Sequence, residues 1–327
     1  MHSNLIVNDL YNKVLLEPAL EDVNNLYIVS GYASSAMAFH HAENLRHIKK
    51  DISVHLIVGM VAKDGLSIAN HLAFKKLMTQ DLIGRFECSY LIERPAVHSK
   101  VYAWTNNLKS VMGFTGSANY SQQAFIGNRQ REIITNCNPN GAFDYYKSLI
   151  DNTISCTEKG AEELILLNEN SVSRTYKRDT GGKEQDSLTH KKYSKDNLHV
   201  SCSLINRSGI VSERSGLNWG QRANREPNQA YISLTSDICN SDFFPPRATH
   251  FTISTDDGQI IICTRAQDNG KAIETPHNNS IIGKYFRERL GVPLGEPVLM
   301  EHLLKYGRTD IDFYKIDDEN YYMDFSV

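Results

Sequence analysis

The chain has 327 residues, of which 41% are hydrophobic and 22% charged, and its net charge is -3. This length allows two domains, and the composition is ordinary for a soluble globular protein. No apolar run approaches the roughly eighteen residues of a membrane span, and no secretory signal is visible, so we expect a cytoplasmic protein without membrane contact. Because the net charge is slightly negative, nucleic-acid binding would require a local basic patch.

The first half of the chain alternates predicted helices with apolar strands. Strands that are apolar throughout and alternate with helices indicate an α/β sheet covered on both faces. We expect helices over residues 5–17, 36–49, 66–80 and, as one or two segments, 141–167, and strands over 26–30, 52–60, 85–92, 97–102, 111–114 and 133–135.

Residues 168–198 break this pattern. Polar residues and Gly181-Gly182 dominate the segment, and few of its side chains could build a core. We therefore predict a linker or mobile loop between a first domain, residues 1–167, and a second, residues 199–327. The lysines of residues 168–198 and Arg178 either lie in a solvated hinge or also contact phosphates.

Residues 199–327 have a different texture, because short apolar runs recur between turn signals. Asp256-Asp257-Gly258 and Asp268-Asn269-Gly270 are typical hairpin turns. The pattern predicts a mostly β pseudobarrel or sandwich of ordinary domain size. The expected strands cover residues 201–205, 230–234, 250–254, 260–263, 310–316 and 321–325, and one helix covers 281–290.

Two short motifs in the first domain point to phosphate chemistry. His98 and Lys100 are two apart in an alternating run, so a strand would project both side chains from one face. Gly116-Ser117-Ala118-Asn119 follows the next apolar run and places small residues and an amide at a strand end. The ammonium supplies charge, the amide and hydroxyl supply donors, and the imidazole can attack or transfer a proton.

The spacing His-x-Lys followed by Gly-Ser-x-Asn resembles the signature of the phospholipase D superfamily. Residues 128–132, Asn-Arg-Gln-Arg-Glu, look like the tail of the same motif, in which an acidic residue supports the histidine. The family's usual Asp shortly after the lysine is missing, and Thr105, Asn106 and Asn107 occupy that region. This departure favours a nuclease over a lipase within the family.

The resemblance implies a covalent mechanism for the slow hydrolysis of a phosphodiester. His98 would attack phosphorus and form a phosphohistidine, and a second histidine would protonate the leaving oxygen. Lys100 and Asn119 would hold the non-bridging oxygens, with Ser117 a weaker candidate, and Glu132 would hydrogen-bond the imidazole. Since the chain has one such motif, we expect the second histidine to come from a second copy in a homodimer.

Neither a cofactor nor a metal ion is expected. The carboxylates form no cluster with divalent-ion spacing, and the lysine and histidine already supply positive charge. The six cysteines are scattered without a Cys-x-x-Cys pair, which favours reduced, buried thiols over disulfides or zinc.

Two polar loops of the second domain are rich in residue types that can read base edges of DNA. Arg, Asn and Gln recognise guanine and adenine bidentately in the major groove, and polar loops of this length are usually functional or disordered. The alternative is that each of these candidate residues is an ordinary exposed side chain without a role in binding. The candidates in the first loop, residues 206–229, are Arg207, Arg214, Asn218, Trp219, Gln221, Arg222, Arg225 and Asn228. Those in the second loop, residues 265–280, are Gln267, Asp268, Lys271, Asn278 and Asn279.

Residues 216–222 and 271–276 resemble the C-terminal region of phospholipase-D-type restriction endonucleases. Those enzymes join a single-motif nuclease domain to a pseudobarrel similar to the plant B-three DNA-binding domain, whose two arms grip the major groove. The resemblance implies a sequence-specific, metal-independent endonuclease acting on double-stranded DNA. A phospholipid phosphodiesterase and a non-catalytic DNA-binding protein are the alternatives. Some relatives belong to ATP-dependent systems, which leaves open a separately encoded ATPase or helicase-like partner.

Overall fold

The computed structural model describes residues 5–48, 52–127, 130–168 and 198–327. Nearly all of the expected linker, residues 168–198, lies outside these ranges, as do Asn128 and Arg129 of the motif tail. Within the described ranges no helix is long and apolar enough to cross a membrane.

The chain divides into two compact units. The first comprises Met1–Glu169 together with Thr249–Thr252, and the second comprises Asn170–Ala248 together with Ile253–Val327.

The first unit contains an eight-stranded mixed sheet in the order β1-β8-β7-β6-β2-β3-β5-β9, and a small parallel pair of β10 with β4. The strands are β1 (Leu5–Ile6), β2 (Asn25–Ser30), β3 (Ser53–Val58), β4 (Leu66–Ser67), β5 (Phe86–Leu91), β6 (Val101–Asn106), β7 (Lys109–Gly116), β8 (Ile134–Asn136), β9 (Thr153–Ser155) and β10 (Leu167–Asn168). The helices are α1 (Ser35–Ile48), α2 (Val61–Asp64), α3 (Ile68–Lys76), α4 (Gln122–Phe125), α5 (Pro139–Ile150) and α6 (Ala161–Leu164).

The central strands β2, β3 and β5 are parallel, whereas β6 runs antiparallel to β2. Helix α5 covers one face of the sheet, where Phe143 packs with Val101 and Ala103 of β6. The alternate residue Trp104 is fully buried, and its indole N–H donates to the backbone oxygen of Val14 at 2.9 Å. Both faces are therefore covered, as the apolar strands require.

Two predicted elements of this unit are wrong in type or bounds. The expected helix over residues 5–17 is replaced by β1, a π-helical turn at Tyr11–Leu16 and a 3₁₀ turn at Glu17–Leu20. Asp9 has a φ of 56°, which a right-handed helix cannot contain, and β1 pairs with β8 instead. The expected helical region 141–167 contains α5 and α6 but also β9, an edge strand that pairs with β5.

The second unit is built on a seven-stranded sheet in the order β11-β16-β17-β13-β14-β15-β12. Its end strands, β11 and β12, approach each other, so the sheet is a nearly closed barrel. The strands are β11 (His199–Ser203), β12 (Ile232–Ser233), β13 (His250–Thr255), β14 (Ile260–Ala266), β15 (Ala272–Glu274), β16 (Asp310–Lys315) and β17 (Asn320–Asp324). The helices are α7 (Ser236–Asn240), α8 (Ser280–Leu290) and α9 (Met300–Tyr306), with 3₁₀ turns at Gly216–Gln221 and Asp268–Gly270.

The six expected strands of this region correspond to six of the seven observed ones. The sequence pattern missed β15, which lies inside the second polar loop and pairs with β14 and β12. Its three residues are buried, including Glu274. An acidic residue in a three-residue strand gives no alternating signal, so this strand could not be recognised from periodicity.

Candidate active site and nucleic-acid interface

Three strands bring the catalytic candidates of the first unit to one edge of the sheet. Strand β7 ends at Gly116, immediately before Ser117, and β2 ends at Ser30. Strand β6 is antiparallel to both and begins at this edge with Val101. Its preceding residues, which include His98, therefore lie beside the ends of β2 and β7.

His98 and Lys100 come together, although the strand expected to hold them begins only at Val101. The Lys100 Nζ lies 3.0 Å from Nδ1 and 3.3 Å from Nε2 of His98, and donates to the His98 backbone oxygen at 2.5 Å. His98 is exposed, whereas Lys100 is only 5% exposed. The ammonium is therefore held beneath an accessible imidazole.

Two glycines explain why residues 97–100 leave the strand conformation. The backbone N–H of Val97 donates to the Gly59 oxygen at 3.1 Å, and a Cβ on Gly59 would lie 2.2 Å from the Val97 oxygen. A Cβ on Gly31 would lie 3.1 Å from Cδ2 of His98. The segment thus packs against bare backbone at the ends of β2 and β3, and this close approach fixes the position of His98.

Asn119 is held by a residue that the sequence reasoning did not select. The backbone N–H of Tyr32 donates to Oδ1 of Asn119 at 3.2 Å, and the Tyr32 ring meets the His98 ring edge-on at a centroid distance of 5.5 Å. The Tyr32 hydroxyl donates to the carboxylate of Asp64. The one signal in the sequence was the position of Tyr32 directly after Gly31 at a strand end.

Ser117 and Glu132 form a pair of their own. The Ser117 hydroxyl donates to Oε2 of Glu132, and it accepts from the backbone N–H of Ile133 at 3.0 Å. Within the described residues, the hydrogen-bond partner of the Glu132 carboxylate is Ser117 rather than His98. Contact between Glu132 and the imidazole therefore stays a prediction.

The negative charge of Glu132 acts on the buried ammonium of Lys100. Burial lowers the pKa of the Lys100 ammonium below its ordinary value of 10.5, and the negative charge of Glu132 partly opposes this shift. A buried ammonium with a carboxylate nearby is a site prepared for an anion, because a phosphate would supply further compensating charge.

In the part of the chain that the structure describes, no three His, Cys, Asp or Glu side chains lie close enough together to hold an ion. All six cysteines are free thiols, and Cys88, Cys156, Cys202 and Cys263 are buried.

The candidates of the first polar loop fall into two groups. Arg207, Arg214, Arg222 and Arg225 are exposed. The guanidinium of Arg222 donates through Nε to the Arg214 backbone oxygen at 2.7 Å. The guanidinium of Arg225 lies 3.7 Å from the centroid of the Trp219 ring. All four guanidinium groups are therefore on the surface of the second unit.

The amide side chains of the same loop are used internally. Asn218 is 2% exposed; it donates to the backbone oxygens of Ser212 and Val298 and accepts from Val298 N–H at 2.8 Å. Asn228 accepts from Gly295 N–H at 2.7 Å, and the Gln221 amide donates to the Gly295 oxygen at 3.0 Å. In the structure these amides fix the loop conformation rather than face solvent.

The second loop shows the same division. Gln267 and Asn279 both donate to the buried carboxylate of Glu274, at 2.8 and 3.4 Å. Asp268, Lys271 and Asn278 are exposed, and Oδ1 of Asn278 accepts from the N–H of Ser280 at the start of α8. Asp268 and Lys271 therefore remain the more accessible candidates of this loop.

The sequence reasoning also missed Arg287, which is fully buried under the first loop. Its guanidinium donates to the backbone oxygens of Glu296 at 2.8 Å, Gly283 at 3.2 Å and Pro227 at 3.3 Å. Burial lowers the pKa of Arg287, while the charge of Glu226 opposes the shift. Arg287 lies on α8, far in sequence from the loop that it supports, so no local pattern marks it.

Two family models match the chain. Residues 8–163 match the NgoFVII restriction endonuclease N-terminal PLD domain, and residues 192–317 match the NgoFVII C-terminal B3-like DNA-binding domain. No curated protein matches the chain.

Among solved structures, the chain is similar to NucT from Helicobacter pylori and to a phospholipase D family member, Nuc from Salmonella typhimurium. NucT has 14% identity and a TM-score of 0.32, over 46% of this chain and 96% of that one. Nuc has 16% identity and a TM-score of 0.33, over the same shares of 46% and 96%. The two family matches confirm the predicted fold class, and they account for both units. The chain belongs to the NgoFVII family of restriction endonucleases, phosphodiesterases that join a phospholipase-D-like nuclease domain to a B3-like DNA-binding domain.

Proposed function

We propose that this protein cleaves double-stranded DNA at a specific sequence through a covalent intermediate on His98. The observation that carries the proposal is the exposed imidazole of His98 held over the buried ammonium of Lys100. A neutral imidazole has a lone pair on one ring nitrogen and is the nucleophilic form of histidine. When a phosphate binds, the Lys100 ammonium would move from the ring to a non-bridging oxygen and leave that lone pair free to attack.

In the first step a ring nitrogen of His98 attacks phosphorus, so a P–N bond forms and a P–O bond to the leaving strand breaks. Lys100 and the Nδ2 amide of Asn119 hold the non-bridging oxygens, where negative charge develops. In the second step water attacks phosphorus and the P–N bond breaks, which returns His98 to its initial state. The Ser117–Glu132 pair borders this site and supports the charge of Lys100.

A second imidazole is needed to protonate the leaving oxygen and then to activate the water. This chain carries one His-x-Lys followed by Gly-Ser-x-Asn. We therefore place His98 of the partner subunit opposite the scissile phosphate, in a two-fold homodimer with one composite site. One site facing a duplex cuts the two strands in sequence.

Base recognition belongs to the second unit. Its exposed arginines, Arg207, Arg214, Arg222 and Arg225, together with Asp268, Lys271 and Asn278 of the second loop, would contact DNA directly. The buried Asn218 and Asn228, and the half-buried Gln221, Gln267 and Asn279, would act indirectly by holding the loops in shape.

Plasmid cleavage tests the catalytic assignment. Wild-type protein should produce discrete fragments whose sequenced ends share one motif, and His98→Ala should lower the cleavage rate by at least about a thousandfold while keeping sequence-specific binding. His47→Ala is the matched control, because His47 is exposed on α1. If His98→Ala cut normally, or lost specific binding to the same degree as cleavage, the assignment would be wrong.

Mixed subunits test the composite site. When wild-type and His98→Ala chains are unfolded together and refolded, activity should fall as the square of the wild-type fraction, because a mixed dimer has one histidine. A linear fall would show that each chain acts alone and would refute the shared site.

A further inference from the structure

Arg225 is held in a way that the other arginines of its loop are not. Its guanidinium lies 3.7 Å from the centroid of the Trp219 ring, and its NH1 donates to Oε1 of Gln229 at 2.9 Å. Arg225 is exposed, whereas Trp219 is 9% exposed. Among the described residues, no hydrogen-bond acceptor for its other guanidinium N–H groups is found.

The platform beneath Arg225 is itself fixed. The Trp219 ring packs edge-on against Tyr231 at a centroid distance of 5.4 Å. A Cβ on Gly220 would lie 2.4 Å from the Glu226 backbone oxygen. The part of the loop that precedes Arg225 therefore touches the part that follows it. The stacking surface for the guanidinium is therefore part of a tightly packed turn.

The residue next to Arg225 anchors the same turn to α8. The Glu226 carboxylate accepts from the N–H and Nδ2 of Asn228, at 3.0 and 2.9 Å, and from the Ser280 hydroxyl. Partial burial would raise the pKa of Glu226, but these hydrogen bonds lower it, so the carboxylate stays charged. The buried guanidinium of Arg287 holds the Pro227 oxygen from below.

A stacked, hydrogen-bonded guanidinium loses less conformational entropy on binding than a free one. Its planar fork of N–H donors matches O6 and N7 of guanine, which is the commonest specific arginine contact in the major groove. A guanidinium can also hold a phosphate through two parallel N–H bonds, but that contact carries no sequence information. The restraint on Arg225 adds most where one particular base edge must be matched, because a fixed fork then favours guanine over the other bases.

We propose that Arg225 reads one guanine of the recognition sequence through the major groove, with Trp219 and Gln229 fixing the plane of its guanidinium. This inference rests on the proposed DNA recognition by the second unit. For comparison, the same proposal assigns a phosphate contact to Arg207, which is exposed in the same loop.

Selection of bound duplexes from a random library, with sequencing, tests the assignment. Arg225→Ala should weaken the preference for guanine at one base pair by about ten- to a hundredfold and leave the other positions of the motif unchanged. Arg225→Lys should do the same, because it keeps the charge but removes the fork. Arg207→Ala should keep the whole motif, weaken binding to all sequences alike and reduce the salt-dependence slope by about one.

Trp219→Leu removes the stacking surface while Arg225 remains, so it should weaken the same base preference, and Trp219→Phe should restore most of it. Thermal melting of each variant separates loss of preference from loss of fold. The inference is overturned if folded Arg225→Ala selects the wild-type motif. It is also overturned if this variant binds all sequences more weakly to the same degree, as expected of Arg207→Ala. If wild-type protein selected no motif at all, the proposed function itself would be refuted.

Discussion

The backbone N–H of Tyr32 donates to Oδ1 of Asn119 at 3.2 Å, and this contact decides which end of that amide faces the phosphate. With its oxygen used as an acceptor, Asn119 presents the Nδ2 donors to an anion. The Tyr32 ring also packs edge-on against His98. One residue thus positions both the proposed nucleophile and a proposed phosphate ligand.

We expect Tyr32→Ala to lower the single-turnover cleavage rate by about ten- to a hundredfold, because the His98 ring loses its neighbour and small displacements of a nucleophile are costly. DNA affinity and melting temperature should change little. Tyr32→Phe keeps the ring and loses the hydroxyl bond to Asp64, so it should retain most of the rate. Equal losses in the two variants would assign the effect to the hydroxyl instead.

The rate should also depend on pH through Lys100. Its ammonium must be charged to hold the phosphate, and burial lowers its pKa below 10.5, so cleavage should decline at a lower pH than an ordinary lysine would give. Glu132→Gln removes the negative charge that raises this pKa, and the alkaline decline should move to still lower pH. Single-turnover rates from neutral to alkaline pH measure the shift. A shift to higher pH would show that the alkaline decline of the cleavage rate does not come from deprotonation of Lys100.

Cleavage should persist in EDTA. In the proposed mechanism, positive charge comes from Lys100 and the nucleophile from His98, so a divalent ion has no assigned role. The measurement is the initial rate of plasmid cleavage with chelator and with added magnesium. Complete loss of cutting on chelation, followed by recovery with magnesium, would contradict the mechanism.

The buried Arg287 should be important for stability rather than for catalysis. Arg287→Ala leaves the backbone oxygens of Glu296, Gly283 and Pro227 without their donor and opens a cavity, and we expect unfolding free energy to fall by about 3 kcal/mol or more. Lys284→Ala, an exposed change on the same helix, is the control and should cost little. Denaturant unfolding measures both. A small loss for Arg287→Ala would mean that water replaces the guanidinium.

Much of the catalytic edge could be predicted from short-range patterns. Apolar runs located β2, β3 and β5 to within a few residues, and the spacing of His98 and Lys100 predicted their proximity. The reason for that proximity was wrong, because the two residues precede β6 and are placed by packing against Gly59 and Gly31. Backbone contacts between distant segments leave no periodic signal in a sequence.

The loops of the second unit show a different limit. Arginine and asparagine were both selected as base readers by residue type, yet Asn218 and Asn228 are buried and bonded to backbone, while Arg225 is exposed. An amide suits a base edge and a peptide group equally well, since both present one donor beside one acceptor. Burial decides between these uses, and burial depends on α8 and on residues 295–298, far along the chain.

The buried supports of the first loop have a consequence for how specificity could change. Asn218, Asn228 and Arg287 hold the loop from inside through bonds to backbone groups, whereas the guanidinium of the exposed Arg225 bonds to a side chain. Replacing exposed positions would therefore change the side chains that face DNA without changing the conformation of the loop. A lineage of such enzymes could diversify its targets by surface substitutions alone, and a protein engineer could do the same by randomising Arg207, Arg222 and Arg225.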